Sequence, residues 1–168
     1  LCVGGSLGDA AAALPLVLGQ QQVAPELAAP LLAQYWSPMP QLALGQALRV
    51  KASAALDISD GLLADCGHIA AASGVALHIE LARVPLSAAI LAVLSLPTAQ
   101  HCALSGGDDY RLAFTLPAEH LPGLQAAGWA LQVIGQVVAG RGVQLFDEQG
   151  QIITPPARGY QHFRSSGD

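Results

Sequence analysis

Alternating hydrophobic and polar residues near the middle of the chain predict a short strand that turns directly into a helix. Leu56 and Ile58 flank the polar Asp57, which is the period of two of a half-buried strand. Beyond it, apolar and small residues recur at steps of three and four, the period of one helix face: Leu62, Cys66, Ile69, Ala70 and Ser73. Gly74 is a typical C-terminal stop, so we expect the helix to end there.

The same patterns predict the other elements of the chain. Strands are expected near 54–58, 75–81, 110–116, 131–139 and 143–147, and helices over 10–21, 25–36, 41–51, 88–96 and 117–128. Pro97 is expected to end the helix over 88–96, because proline lacks the backbone N–H that a helix interior needs. The four residues from Asp147 to Gly150 are typical of a hairpin turn.

Composition and charge limit the kind of protein. The 168 residues suffice for one ordinary domain. With 52% hydrophobic and only 11% charged residues, part of the surface should be covered by a partner chain or another domain. The net charge of −5 argues against nucleic acid as a partner. No uninterrupted apolar run approaches ~18 residues, so we expect no membrane association.

Cysteine usage and the first residues point to the compartment and to the extent of the chain. The three cysteines are far apart and form no CxxC pair, so we expect reduced core residues of a cytoplasmic protein. The apolar run Leu1–Val3 is interpreted as the tail of a strand whose beginning is missing. We therefore expect a single domain over 1–168 that is a fragment of a longer protein.

The strand-turn-helix carries the first candidate chemistry. Asp57 and Asp60 are three residues apart with the hydroxyl of Ser59 between them, and all three converge at a helix N-terminus. Free N–H groups and the helix dipole attract phosphate there. Carboxylates among phosphates indicate a bridging divalent metal. Alternatively, Ser59 or Asp60 only caps the helix and Asp57 is an exposed strand residue.

A second candidate stretch lies before the strand near 110–116. A Ser-Gly-Gly turn precedes the adjacent acids Asp108 and Asp109, and the glycines would let the backbone approach a ligand closely. These acids either bind metal or substrate, or are simply solvated. The aromatic and basic tail over 155–163 either closes over a planar ligand or packs the end of the chain down.

Taken in order, these stretches resemble the C-terminal half of the thiamine-monophosphate kinase family, within the aminoimidazole-ribonucleotide synthetase superfamily. The resembling segments occur in the family's order and span nearly the whole chain: 8–11, 46–48, 56–63 with 65 and 67–69, 103–110 with 114–115, 134–135, and 159–163. The resemblance implies an α+β fold in which a mixed β-sheet is covered by helices. It also implies an N-terminal half, absent here, that supplies most of the acidic metal ligands, much of the ATP site and a homodimer interface.

The resemblance further implies an activity: Mg²⁺-dependent transfer of the ATP γ-phosphoryl group to thiamine monophosphate. Asp57 and Asp60 would be magnesium ligands, and Ser59 would contact ATP phosphate. Asp108 and Tyr160 would hold the thiamine monophosphate. No catalytic nucleophile is assigned, because phosphoryl transfer depends on positioning and charge neutralisation. The fragment by itself is expected to be inactive.

Three positions depart from the family pattern. Asp108 and Arg111 stand where the family usually carries Glu, and Ser37 stands where it usually carries Arg. Two alternatives therefore stay open: another ATP-dependent synthetase of the superfamily, of the selenophosphate or purine-pathway type, or a binding module that has lost catalysis. The Ser105–Tyr110 motif and the 159–163 tail favour the kinase, whereas Arg111 favours the module.

Overall fold

The computed structural model describes residues 1–154, and Tyr160 lies outside this range. The strands are β1 (Cys2–Val3), β2 (Ala54–Asp57), β3 (Ala76–Glu80), β4 (Leu112–Thr115), β5 (Gln132–Val133), β6 (Gly135–Val138), β7 (Gly142–Phe146) and β8 (Ile152–Ile153). The helices are α1 (Asp9–Val17), α2 (Pro25–Trp36), α3 (Leu42–Leu48), α4 (Leu62–Ser73), α5 (Ala88–Val93), α6 (Leu96–Ser105) and α7 (Leu121–Ala126). Short 3₁₀ turns occupy Leu81–Arg83 and Ala118–His120.

The strands form two four-stranded sheets rather than one. The first has the order β2-β4-β1-β5 and is antiparallel throughout, with β2 at an edge. The second has the order β6-β3-β7-β8 and is mixed, because β3 runs parallel to β7. The α+β class and the mixed sheet are therefore confirmed.

The expected single strand over 131–139 is wrong, because the chain changes sheets at Ile134. The Ile134 N–H donates to the carbonyl oxygen of Leu1 at 3.0 Å, beside the first sheet. Its carbonyl accepts from the Glu80 N–H of the second sheet at 2.8 Å. The Ile134 side chain is fully buried in the main core, where residues from both sheets meet. Alternation alone does not show such a crossing, since the apolar period continues through it.

Pro97 does not end a helix, contrary to expectation. α5 already stops at Val93, and Pro97 lies in the first turn of α6, where its missing N–H costs nothing. α6 buries Ala99, Ala103 and Leu104 and ends at Ser105, directly before the second candidate stretch.

The core is arranged around α4. As predicted, this helix buries Leu62, Cys66, Ile69 and Ala70, and it is followed by Gly74 in a left-handed conformation. Ser73, predicted on the same face, is exposed instead, because it lies in the last turn of the helix. Burial raises the pKa of the Cys66 thiol to about 12, so this cysteine is an inert core residue. Over residues 1–154, no helix is long and apolar enough to cross a membrane.

Candidate functional site

The first part of the site is a turn between β2 and α4, hereafter the Asp57–Gly61 turn. Asp57 ends β2 and is exposed, whereas Ile58 is fully buried and fixes the turn to the core. Gly61 has a φ of 114°, and a Cβ on it would come within 3.0 Å of the Ser105 carbonyl carbon. Glycine at this position therefore lets the turn lie directly against the end of α6.

The backbone of this turn is held by Asp65, in the first turn of α4. One carboxylate oxygen, Oδ2, accepts the N–H of Ser59 at 2.9 Å and the N–H of Asp60 at 3.0 Å. The alternative that Ser59 or Asp60 caps the helix is wrong: the N-cap is Gly61, and no side chain caps it. The Ser59 hydroxyl donates to the Asp60 carboxylate instead, at 3.3 Å.

The second part of the site is the loop Gly106–Arg111, which runs alongside the turn. The N–H groups of Asp108 and Tyr110 donate to the carbonyls of Ser59 and Ile58, at 3.0 and 2.8 Å. In return, the Ile58 N–H donates to the Arg111 carbonyl at 2.8 Å. A Cβ on Gly107 would run into the Ser59 carbonyl oxygen, so this glycine permits contact between two loops rather than with a ligand.

Asp108 and Tyr110 bring the acids of the two loops together. Both residues have left-handed backbones, with φ of 66° and 48°, so Tyr110 precedes β4 instead of lying in it. The Tyr110 hydroxyl donates to the Asp108 carboxylate at 3.1 Å. This bond is the main cause that raises the pKa of Tyr110, and the charges of Asp57 and Asp60 raise it further. The negative charges of Asp57, Asp60 and Asp108 therefore all raise the pKa of the same hydroxyl.

Asp109 faces away from the exposed acids and anchors the loop. Only 1% of it is exposed, so the expectation of a solvated acid is wrong here. Both carboxylate oxygens lie 2.9 Å from the Gly8 nitrogen and share its N–H. Burial raises the pKa of Asp109 to about 7, and the nearby charge of Asp9 adds to the increase.

Arg111, which departs from the family pattern, also lies on the buried side. Its Nη2 donates to Gln34 Oε1 at 3.1 Å, and Gln34 Nε2 donates to the Asp109 carbonyl at 2.9 Å. The guanidinium charge acts to lower the pKa of both Asp9 and Asp109. Burial raises the pKa of both acids, and the positive charge of Arg111 partly compensates the buried Asp109 and the half-buried Asp9.

An apolar cleft of about 1080 Å³ extends from the site between α3 and the first sheet. Asp57 and Tyr110 belong to its lining, together with apolar residues such as Leu48 and Leu112. Leu42 and Val50, also in the lining, are 74% and 95% exposed. A ligand held by the acids would have an apolar surface beside it.

The side chains of the two loops carry oxygen ligands of the kind that a hard divalent cation takes. Asp57, Asp60 and Asp108 offer carboxylate oxygens and Ser59 a hydroxyl, which are the ligands that Mg²⁺ prefers. Asp60, Asp65 and His68 also have potential ligand atoms within 4.8 Å of one another. Tyr160, the remaining predicted site residue, lies outside the described residues.

Comparison with known proteins identifies the family. Residues 1–148 match the model described as "AIR synthase related protein, C-terminal domain". The chain belongs to this family. It is 39% identical to thiamine-monophosphate kinase of Escherichia coli (strain K12) over 166 residues, covering 96% of this chain and 51% of that protein. The chain thus spans about half the length of the curated relatives that it matches, and its resemblance to this kinase is confirmed.

Solved structures agree. The crystal structure of thiamine-monophosphate kinase from Stenotrophomonas maltophilia K279a matches with a TM-score of 0.79 and 39% identity, covering 86% of this chain and 48% of that one. The structure named "AaThiL complexed with AMPPCP and TMP" matches with a TM-score of 0.81 and 31% identity, covering 96% and 50%. Escherichia coli HypE, at 23% identity and a TM-score of 0.69, shares the fold.

Proposed function

We propose that the full-length protein carrying this chain transfers the γ-phosphoryl group of ATP to thiamine monophosphate. The relatives at 31–39% identity support this substrate pair, since they are thiamine-monophosphate kinases or a structure named with AMPPCP and TMP. Because the chain covers about half of each, the activity is proposed for the whole protein. In keeping with the family resemblance, we propose a cytoplasmic homodimer.

The pairing of the two loops carries the proposal. Three carboxylates and one hydroxyl come from loops that are joined by backbone hydrogen bonds. The N–H groups of Ser59 and Asp60 are already bonded to Asp65, so a ligand meets the side chains of this turn. Bare carboxylates repel phosphate, whereas carboxylates that bind a divalent cation attract it.

Each predicted site residue then has a definite role. Asp57 and Asp60 would hold magnesium, and the Ser59 hydroxyl would contact ATP phosphate. Asp108, oriented by the Tyr110 hydroxyl, would contact thiamine monophosphate, and so would Tyr160. Bound magnesium would supply neutralisation of the phosphate charge. The protein contributes orientation, and no covalent intermediate on a side chain is required.

Replacing Asp57 by Asn in the full-length protein tests this proposal. We expect kcat for thiamine diphosphate formation to fall by about 10²–10³, the usual cost of losing one electrostatic stabiliser. The melting temperature should change little, because Asp57 is exposed and supports no core contact. Steady-state turnover with ATP and thiamine monophosphate, measured beside a thermal melt, gives both quantities.

The matched control is Glu148→Gln, an equally conservative change of an exposed acid in the turn after β7 of the other sheet. It should leave kcat unchanged. Near-normal activity of Asp57→Asn would remove this residue from the site, and its unfolding would assign it a structural role. Absence of thiamine diphosphate formation by the wild type would refute the proposed reaction itself.

A further inference from the structure

We propose that Asp65 is a positioning residue, which fixes the Asp57–Gly61 turn so that its side chains rather than its N–H groups face the ligand. Asp65 itself makes no contact with the reacting groups. The expected effect of Asp65 on magnesium-dependent turnover rests on the proposed function, whereas the anchoring of the turn does not.

The hydrogen bonds define what Asp65 does. A single oxygen receives two consecutive N–H groups, at 2.9 and 3.0 Å, from the residues that bear the candidate hydroxyl and carboxylate. Asp65 is only 4% exposed, so water cannot replace this acceptor easily. Ser59 and Asp60 are half-buried, so loss of this acceptor would leave their N–H groups poorly paired, and the two bonds therefore hold the residues in this arrangement.

The anchor is rigid because it belongs to α4. The neighbouring Cys66, on the same helix, is fully buried in the main core, so the helix backbone that carries the carboxylate is held in place. From the other side, the Ile58 N–H is bonded to the Arg111 carbonyl. The N–H groups of Ile58, Ser59 and Asp60 are therefore all satisfied within the protein.

The competing role for Asp65 is direct metal ligation. Asp60, Asp65 and His68 have potential ligand atoms within 4.8 Å of one another. However, Oδ2 of Asp65 already accepts two N–H bonds, so only the other carboxylate oxygen, Oδ1, could bind a metal. Asp65 is 4% exposed while His68 is exposed, and the contacts that the structure shows for the Asp65 carboxylate are the two N–H bonds to the turn, which support the anchoring role. The variants below separate the two roles.

The test compares Asp65→Ala with Asp65→Asn in the full-length protein. Asn keeps a neutral oxygen that accepts both N–H groups but loses the charge that a metal ligand needs. For Asp65→Ala, we expect amide hydrogen exchange in the peptide over 58–62 to accelerate roughly tenfold, as loss of a hydrogen bond predicts. The magnesium concentration for half-maximal turnover should rise by about 10–100-fold, the range for residues that orient metal ligands.

Asp65→Asn should restore most of the exchange protection and most of the magnesium response. If Asn instead impairs the magnesium response as strongly as Ala while the exchange stays protected, Asp65 is a ligand and the proposal is wrong. His68→Ala, expected to be neutral, would likewise point to a metal site if it impaired the magnesium response.

Ile69→Ala is the control for simple destabilisation. It removes a core side chain four residues beyond Asp65 on the same helix and leaves the Asp65 carboxylate in place, so it should lower the melting temperature and leave the magnesium requirement unchanged. A shift of the magnesium requirement by this control would show that the readout reports stability only. If amide hydrogen exchange over 58–62 is the same in Asp65→Ala as in the wild type, the anchoring role is wrong. This result does not depend on turnover, so it can be distinguished from a failure of the proposed kinase reaction.

Discussion

At the scale of single residues, the acids of the site differ in what their carboxylates bind. Asp57 and Asp108 are exposed at the site, whereas Asp65 and Asp109 are buried and accept backbone N–H groups. The sequence identified the exposed acids as candidate ligands but gave Asp65 and Asp109 no anchoring role. Gly8, the partner of Asp109, lies 101 residues away, so the sequence around Asp109 does not reveal it. The partners of Asp65 lie only five and six residues away, but they depend on how the turn folds back onto the helix, which the hydrophobic period does not show.

The first residue-scale prediction concerns the pH dependence of stability. The folded-state pKa of Asp109, about 7, lies above its ordinary value of 3.8. Between these values the folded state holds a proton that the unfolded state has released, so the free energy of unfolding should fall as pH rises from about 4 to 7. The slope from one such group is at most about 1.4 kcal/mol per pH unit.

Asp109→Asn should remove this contribution while keeping an acceptor for the Gly8 N–H. Urea unfolding of the 168-residue chain at several pH values between 5 and 7 measures the difference in slope. Burial also raises the pKa of Asp9 and Asp65, so the variant should keep part of the slope, with the same sign. If the free energy of unfolding depends on pH equally in the wild type and the variant, Asp109 is already ionised between pH 5 and 7 and the prediction is wrong.

At the scale of secondary-structure elements, hydrophobic periodicity correctly predicted the features that depend on residues close in sequence. The order β2, turn, α4 was correct, and so was the hairpin turn at Asp147, whose Oδ1 accepts the N–H groups of Gln149 and Gln151. The division at Ile134 and the start of α6 were not predicted. They depend on which distant strand pairs with which, and on a proline that suits a helix start as well as a helix end.

Contact between the two loops gives an element-scale prediction. Gly107→Ala places a Cβ against the Ser59 carbonyl oxygen, so one of the two loops must move. We expect a loss of about 1–3 kcal/mol in unfolding free energy, as for other overpacked positions. In the full-length protein, turnover should fall because Asp108 and Ser59 shift apart. Thermal melting and steady-state kinetics measure the two effects.

Gly67→Ala is the matched control for this glycine substitution. Gly67 lies inside α4, and a Cβ there would have nothing within 4 Å. The same change should therefore stabilise the protein by about 0.5–1 kcal/mol, since alanine favours the helix, and leave turnover intact. If Gly107→Ala behaved like Gly67→Ala, close packing of the two loops would not be needed for the site.

At the scale of the whole molecule, the low charge has a visible counterpart in the apolar cleft beside Asp57. Its rim exposes large hydrophobic side chains such as Leu42 and Val50, which is the kind of surface that another domain covers. Composition predicted that such a surface exists but not where, because its position depends on how α3 packs over the first sheet. The substrate assignment came from the ordered motifs, since general physical patterns do not distinguish one phosphate acceptor from another.

The last prediction follows from the number of metal ligands that this chain offers. Magnesium demands near-octahedral coordination by six oxygens and gives up its waters reluctantly. Asp57 and Asp60 offer only a few of these oxygens, and the chain spans 51% of the Escherichia coli kinase that it resembles. We therefore expect the 168-residue chain to bind Mg²⁺ weakly and to form no detectable thiamine diphosphate.

Calorimetric titration with Mg²⁺, with and without ATP, should give a much weaker response for this chain than for the full-length protein. A cooperative thermal melt must show that the chain is folded, so that inactivity cannot be attributed to unfolding. Asp57→Asn in the same chain serves as the control. If its heats of Mg²⁺ binding equal those of the wild-type chain, the acids of this chain do not form a magnesium site by themselves. Turnover by the 168-residue chain near that of the full-length protein would contradict the prediction, because these carboxylates and the bound phosphates would then suffice to hold the metal.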